Sequence, residues 1–264
     1  MTHSYQRFLE VAMAERGPDH PIWEDNDKTH NRQLGELCGL RVPELLQGPC
    51  SLRKMTPPEV PAIIKPVYGC SARGVVPLVP THDGYTDLFT GQPTTWQAAT
   101  AAALAAKHAA RNRALLDRDH PDAMRPPWLM EELILTADGG LPYDWKGFVF
   151  GGKVEVIKQS IRTLGGRVRV CWFDRDWVPV GDIAPVRKWQ LDNTLPGPKN
   201  PAGLVAASET VASLVDSPFI RVDLYEDPGG EVVFGETTPH PTGGGVKFVP
   251  EWDRRLGEAW AAAV

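Results

Sequence analysis

The sequence predicts an α+β fold in which a small unit with a glycine-bearing hairpin precedes a larger antiparallel sheet flanked by helices. Three observations predict it. Phe219-Ile-Arg-Val-Asp-Leu-Tyr225 and Val232-Val-Phe-Gly-Glu-Thr-Thr238 carry the apolar, β-branched and aromatic pattern of strands, and Asp227-Pro-Gly-Gly230 between them is a turn. Asp144–Phe150 and Lys153–Ser160 meet at Gly151-Gly152, a turn suited to a second hairpin. Nearer the N-terminus, the buried strand Ala62-Ile-Ile-Lys-Pro66 leads through a loop of small residues, Gly69-Cys-Ser-Ala-Arg-Gly74, to a returning strand at 75–79.

The remaining elements follow in order. Residues 4–16 form an amphipathic helix that Gly17-Pro-Asp-His-Pro21 ends. Asp27 caps a second helix through about Cys38, closed by Gly39. Leu40–Leu46 is a short apolar strand. An alanine-rich helix spans roughly Thr95–Leu116, with Lys107, Arg111 and Arg113 toward its C-terminal end, where the helix dipole favours cations. Trp128–Leu135 and Arg167–Phe173 are strands, and Leu195–Pro201 is a loop rich in proline and glycine. Helices at Ala202–Leu214 and Trp252–Ala262 complete the chain.

Composition narrows the class. A chain of 264 residues with 42% hydrophobic and 23% charged residues can bury a substantial core. A net charge of −5 gives no general affinity for nucleic acid or membranes. No run is long enough to span a bilayer, and the N-terminal segment lacks the apolar core of a signal peptide. Cys38, Cys50, Cys70 and Cys171 are scattered without metal-ligand spacing, as expected of thiols in a reducing, cytoplasmic compartment.

Asp223 and Glu236 can point from neighbouring strands into one cleft, with Arg221 on the same face as Asp223. Carboxylates embedded in apolar strand sequence need a compensating charge, and a divalent metal holding a polyphosphate supplies one. Lys65 sits in an apolar strand and needs a partner too. A phosphate provides it, unless the lysine snorkels from an edge strand. Asp144 and Lys146 share one face of their strand, Asp144 suiting a ribose hydroxyl or the lysine and Lys146 a phosphate. The arginine forks of Arg162 and Arg221 suit the acceptor side, gripping a carboxylate or stabilising an oxyanion. His240 lies in the loop beside the hairpin.

The pattern Arg-x-Asp followed by Glu-x-Thr, in the wording RVDLY…FGETTPHPTGGG, resembles the metal-binding hairpin of the ATP-grasp superfamily and most of all its TupA-like branch. The resemblance covers nearly the whole chain from about Asp25 onward. It implies an ATP-grasp fold of two α+β subdomains clamping a nucleotide, with limits of 51–130 for the smaller and 131–264 for the larger. A reduced N-terminal helical segment, 1–50, stands before them in place of a full domain. The implied cofactors are ATP and Mg2+, with Mn2+ an alternative. Asp223, Glu236 and Thr238 would hold the metal, Thr238 standing where many members have Asn. Lys28, Lys65 and Lys146 would reach the phosphates, and the loop residues Gly69, Ser71 and Gly74 would cradle them. Glu131, Glu132 and Leu133 would form the hinge that reads adenine, and Asp144 would take the ribose.

The implied function is an ATP-dependent carboxylate–amine ligase working through an acyl phosphate, in which Arg221 and Arg162 serve catalysis. A phosphotransferase on the same scaffold and a non-catalytic nucleotide-binding module are the alternatives. Expected partners are a small-molecule or peptide acid and an amine, with a homodimer or second subunit able to complete the acceptor site.

Overall fold

The computed structural model describes residues 3–15, 27–68, 72–111, 127–162 and 167–264. Its strands form two six-stranded sheets. The first contains β1 (Leu45–Cys50), β2 (Ala62–Pro66), β3 (Val76–Thr81), β4 (Gly84–Asp87), β5 (Gln92–Thr94) and β6 (Trp128–Glu132). Their order is β1-β6-β2-β3-β4-β5, antiparallel throughout. Helix α3 (Trp96–Arg111) buries Ala99 and Ala103 against a core that includes Ile64, Leu78, Trp128 and Met130. Gly74 has φ +77 and lies where a Cβ would come 3.1 Å from the Trp128 indole, so both its conformation and its packing call for glycine.

The second sheet contains β7 (Asp144–Phe150), β8 (Lys153–Arg162), β9 (Val168–Asp174), β10 (Trp189–Leu191), β11 (Phe219–Glu226) and β12 (Val232–Thr238). The order is β10-β9-β8-β7-β11-β12, with β10 parallel to β9 and the other pairs antiparallel. Alternation along these strands gives each face its own core. On one face Trp145, Val149, Ile157, Ile220 and Val222 pack with Leu204, Val205 and Val211 of helix α4 (Pro201–Ser213). On the other, Phe148, Phe150, Val156, Trp172 and Phe219 meet Tyr5 and Leu9 of α1 (Tyr5–Glu15) and Trp252, Leu256 and Trp260 of α5 (Pro250–Ala262).

Helix α2 (Lys28–Leu37) rests on β12 and ties the sheets together. Asp27 caps it as expected, accepting from the Thr29 N–H at 2.7 Å, and Gly39 closes it at φ +68. Asn31 accepts the Thr237 N–H at 2.6 Å, which fixes the end of β12 against the helix.

Several elements differ from the sequence expectation. The strand expected at Leu40–Leu46 begins at Leu45, because Arg41 bridges instead to Val233 and its carbonyl accepts the Phe234 N–H at 2.8 Å. Strand β6 stops at Glu132 rather than Leu135. The next N–H, that of Leu133, leaves the ladder for the Pro61 carbonyl at 3.1 Å. Strands β4, β5 and β10 are short and form by pairing with a neighbour, without an apolar period of their own. Residues 112–116 of the expected alanine-rich helix lie outside the described residues, as do Gly69, Cys70 and Ser71. Cys38, Cys50 and Cys171 are free thiols. Among the described residues no helix is long and apolar enough to cross a membrane.

Candidate active site

One transverse row of side chains organises the site. Glu236 on β12 lies opposite Asp223 on β11, which lies opposite Lys146 on β7, then Lys158 on β8 and Trp172 on β9. Directly opposed residues share a face, so the row runs across the same face that buries Phe148, Val156 and Phe219 further along. The aromatic half of that face is a core shared with α1 and α5, and the polar half is the candidate site.

Asp223 is only 2% exposed and is the electrostatic centre. Its two oxygens accept from Arg221 Nε and Nη2, each at 2.6 Å, and Lys146 Nζ donates to Oδ2 at 2.5 Å. Lys146 also reaches Asp144 at 2.6 Å, and Arg221 Nη2 donates to the Thr238 hydroxyl at 2.8 Å. Burial alone would raise the Asp223 pKa, but the charges and hydrogen bonds of Arg221 and Lys146 outweigh it and hold the carboxyl below its usual range. Burial likewise opposes the ammonium of Lys146, and Asp144 and Asp223 overcome it, so this pKa rises.

A second cluster lies on the other sheet. Lys65 on β2 forms an ion pair with Glu131 on β6, and Arg32 of α2 approaches the same carboxylate at 3.3 Å. Glu131 is 1% exposed. Near both clusters stands the half-buried ring of Tyr225, whose pKa is raised by desolvation first and then by Asp144, Glu236, Asp223 and Glu131. A Cβ at position 235 would lie 2.8 Å from this ring, so Gly235 makes room for it. Lys28, at the start of α2, is buried, and its N–H donates to the Val67 carbonyl at 3.3 Å.

Other expected site residues lie elsewhere or are engaged otherwise. The side chain of Glu132 turns to Arg41 at 2.6 Å, in a bridge that Arg41 extends to Asp227 at 3.1 Å and Glu231 at 3.4 Å. The N–H groups of Glu132 and Leu133 are used by the Glu44 and Pro61 carbonyls. Arg162 sits at the end of β8 with its guanidinium 4.9 Å from the centre of the Phe89 ring. It lines a cavity of about 590 Å³ with Tyr143, Trp145 and Arg169, and none of Lys65, Lys146, Asp223 or Glu236 borders that cavity. Arg162 is therefore not gathered with Arg221 and Asp223. His240 is buried just before the 3₁₀ turn Pro241–Gly244.

Among the described residues no three His, Cys, Asp or Glu side chains gather as a metal site. The donors available are two carboxylates, Asp223 and Glu236, opposed across β11 and β12, with the Thr238 hydroxyl two pairs further along on the same face. Such a sparse oxygen set fits Mg2+, which is held by one or two carboxylates and completes its octahedron with substrate phosphates and water.

Lys158, Tyr225, Asn31 and Arg41 were not singled out from the sequence. A signal for Lys158 was present, since it is a charge inside an apolar strand in phase with Val156, as Lys65 is in its own strand.

The two sheets, each carrying a lysine paired with carboxylates of its own sheet, have the architecture of an ATP-grasp fold. The chain belongs to the TupA-like ATP-grasp family, whose sequence model matches residues 99–261, more than half of its length. Solved structures extend the likeness of fold to the rest. VanG D-Ala:D-Ser ligase from Enterococcus faecalis aligns at TM-score 0.51 and 14% identity, over 90% of this chain and 61% of that one. The L-amino acid ligase from Bacillus licheniformis aligns at TM-score 0.47 and 16% identity, over 93% of this chain and 49% of its own. D-alanine–D-alanine ligase from Helicobacter pylori gives TM-score 0.48 and 11% identity, over 99% and 67%. This chain thus spans about half to two thirds of the length of these ligases. Comparison with curated proteins gave no match.

Proposed function

We propose that this protein is an ATP-dependent ligase that joins a carboxylic acid to an amine. The observation that carries the reading is the Arg221–Asp223–Lys146 cluster with Glu236 in register opposite, together with the Lys65–Glu131 pair of the other sheet, the carboxylates of both acting on Tyr225. Membership of an ATP-grasp family and a fold shared with peptide-bond-forming ligases support it.

In this reading the triphosphate lies between the sheets. Lys65 and Lys146 exchange part of their carboxylate pairing for phosphate oxygens, as compact ammonium groups can. Lys28, at the N-terminus of α2, adds a third cation. Asp223, Glu236 and the Thr238 hydroxyl would hold Mg2+, which would neutralise phosphate charge. The purine edge is read by the main chain beyond Leu133, because the two preceding N–H groups are already engaged. Asp144 takes the ribose or continues to hold Lys146. Subdomain limits near 50 and 130 and Gly69, Ser71 and Gly74 as the phosphate loop belong to the same proposal.

The substrate carboxylate attacks the γ-phosphorus, forming an acyl phosphate and releasing ADP. Arg221 keeps Asp223 ionised and fixed while charge moves toward the leaving oxygen, so positioning and electrostatics supply most of the catalysis. The amine then attacks the acyl carbon, phosphate leaves with the bonding pair, and the amine loses a proton to give the amide.

The test is ADP release over a panel of carboxylic acids, each with and without amines, with mass spectrometry of the products. An amide formed together with ADP is expected. A stable phosphorylated product with no amine requirement would make the protein a phosphotransferase instead. A melting temperature unmoved by a saturating ATP analogue and Mg2+ would remove the nucleotide-binding reading altogether, since about 100 Kd of ligand adds about 2.7 kcal/mol.

A further inference from the structure

We propose that Lys158 is the carboxylate-binding residue of the acceptor subsite, holding the substrate acid over β8 between Lys146 and the indoles of Trp172 and Trp189. This rests on the ligase reading and assigns to that site a residue that neither the family pattern nor the fold comparison identifies.

Position is the first argument. Lys158 stands directly opposite Lys146, one strand further from Asp223 and Glu236 along the same row. Adjacent strands are about 4.8 Å apart. A phosphoryl group held at Lys146 and an attacking oxygen about 3–3.5 Å from it therefore put the acid's carboxylate above β8.

Elimination is the second. The Arg221 fork is filled by Asp223 and Thr238, and Arg162 is stacked on Phe89 beside a separate cavity. Lys65 and Lys146 are paired with carboxylates. Among the described residues Lys158 has no such pair. It is 6% exposed, with Nζ 3.9 Å from the centre of the Trp189 ring and 5.8 Å from that of Trp172.

Energetics is the third. Burial pushes the Lys158 pKa well below that of an ordinary lysine; Lys146 and Arg221 push it further, and Asp144 and Asp223 oppose them in part. An ammonium held here without a counter-anion is costly, and an incoming carboxylate relieves that cost. The indoles keep water out, which strengthens the resulting charge-assisted hydrogen bond.

The experiment is ligand-observed saturation-transfer NMR on the whole chain with ADP and Mg2+ present. The probes are acetate, succinate and benzoate, with their amides as uncharged controls, against wild type, Lys158→Met and Lys158→Arg. Wild type should bind the carboxylates saturably, Lys158→Met about tenfold or more weakly, and Lys158→Arg in between. The amides should not distinguish the three proteins. Equal carboxylate binding by wild type and Lys158→Met overturns the proposal, and so does the absence of saturable binding to wild type. Melting temperatures with and without ADP–Mg2+ in the same samples separate the two readings. Stabilisation of every protein with no carboxylate response sinks the subsite alone, whereas no stabilisation of wild type sinks the ligase reading with it.

Discussion

Lys146 and Lys158 stand opposite each other on β7 and β8, the first nearly buried and the second buried, yet their surroundings drive their pKa values in opposite directions. Lys146 lies on the side of the row that carries Asp144, Asp223 and Glu236, and its pKa is raised. Lys158 lies on the side walled by Trp172 and Trp189, and its pKa is depressed. One strand spacing separates a charge-compensated region from an uncompensated one. Burial of a charge therefore does not by itself reveal its role. The β11/β7 half is self-consistent without a ligand, whereas the β8/β9/β10 half carries a cost that only an added anion removes.

The comparison breaks most visibly if Arg221 is removed. Arg221→Ala leaves Asp223 buried with Lys146 as its remaining cation, and we expect a loss of about 3–5 kcal/mol in urea unfolding, because half of a buried pair has gone. The same pairing sets the acid response. The Asp223 pKa is depressed on folding, so its stabilisation is present above the unfolded value of about 3.9 and is lost as pH falls through the folded value. A loss below about 1 kcal/mol on Arg221→Ala would mean that Lys146 alone suffices, and the compensated half would be overstated.

Glu236→Gln tests the same half without disturbing its ion pairs, since Glu236 stands in register with Asp223 but outside the Arg221–Asp223–Lys146 contacts. The expected outcome is an unchanged melting temperature with ADP release lower by about 10²–10³-fold, the scale of losing one preorganised charge-stabilising group. Near-wild-type turnover would make the β11–β12 hairpin a structural feature.

Lys158→Met sharpens the other half, with a smaller effect of opposite sign. Replacing an uncompensated ammonium by an apolar chain of similar length should raise stability by about 1–2 kcal/mol. The gain should depend on pH. Below the depressed folded pKa of Lys158 both folded and unfolded chains carry the charge, and the full cost of burying it is present. As pH rises toward the unfolded value of about 10.4 that cost disappears, so the melting-temperature gap between variant and wild type should narrow. A variant less stable than wild type at neutral pH would show that the indole contacts already satisfy the ammonium.

Much of this arrangement was legible along the chain. Arg221, Asp223 and Glu236 came from a strand–turn–strand pattern read with a period of two, Thr238 from the resemblance to the ATP-grasp hairpin, and the structure pairs them across β11 and β12. Asp144 and Lys146 came from the same period. Lys65 and Lys158 are both charges inside apolar strand sequence, and Lys158 is followed by the polar Gln159 and Ser160. Gln159 in fact points to the opposite face and donates to the Pro196 carbonyl at 2.6 Å.

Features set within a few residues of chain are legible in it: the strands with an apolar period, the turns that force glycine, and the residues that share a face, because backbone sterics and a period of two operate over that range. Tertiary structure alone decided the partners. Arg41 left its expected strand for β12, Arg162 went to Phe89 rather than Asp223, and Glu132 turned to Arg41 rather than to a ligand. The opposition of Lys158 to Lys146, and its seat on Trp189, 31 residues away along the chain, depend on strand order and on a parallel edge strand with no apolar period of its own. Electrostatic compensation acts over a few ångströms of space rather than of sequence, so whether a buried charge is satisfied or left for a ligand is settled only when the sheets assemble.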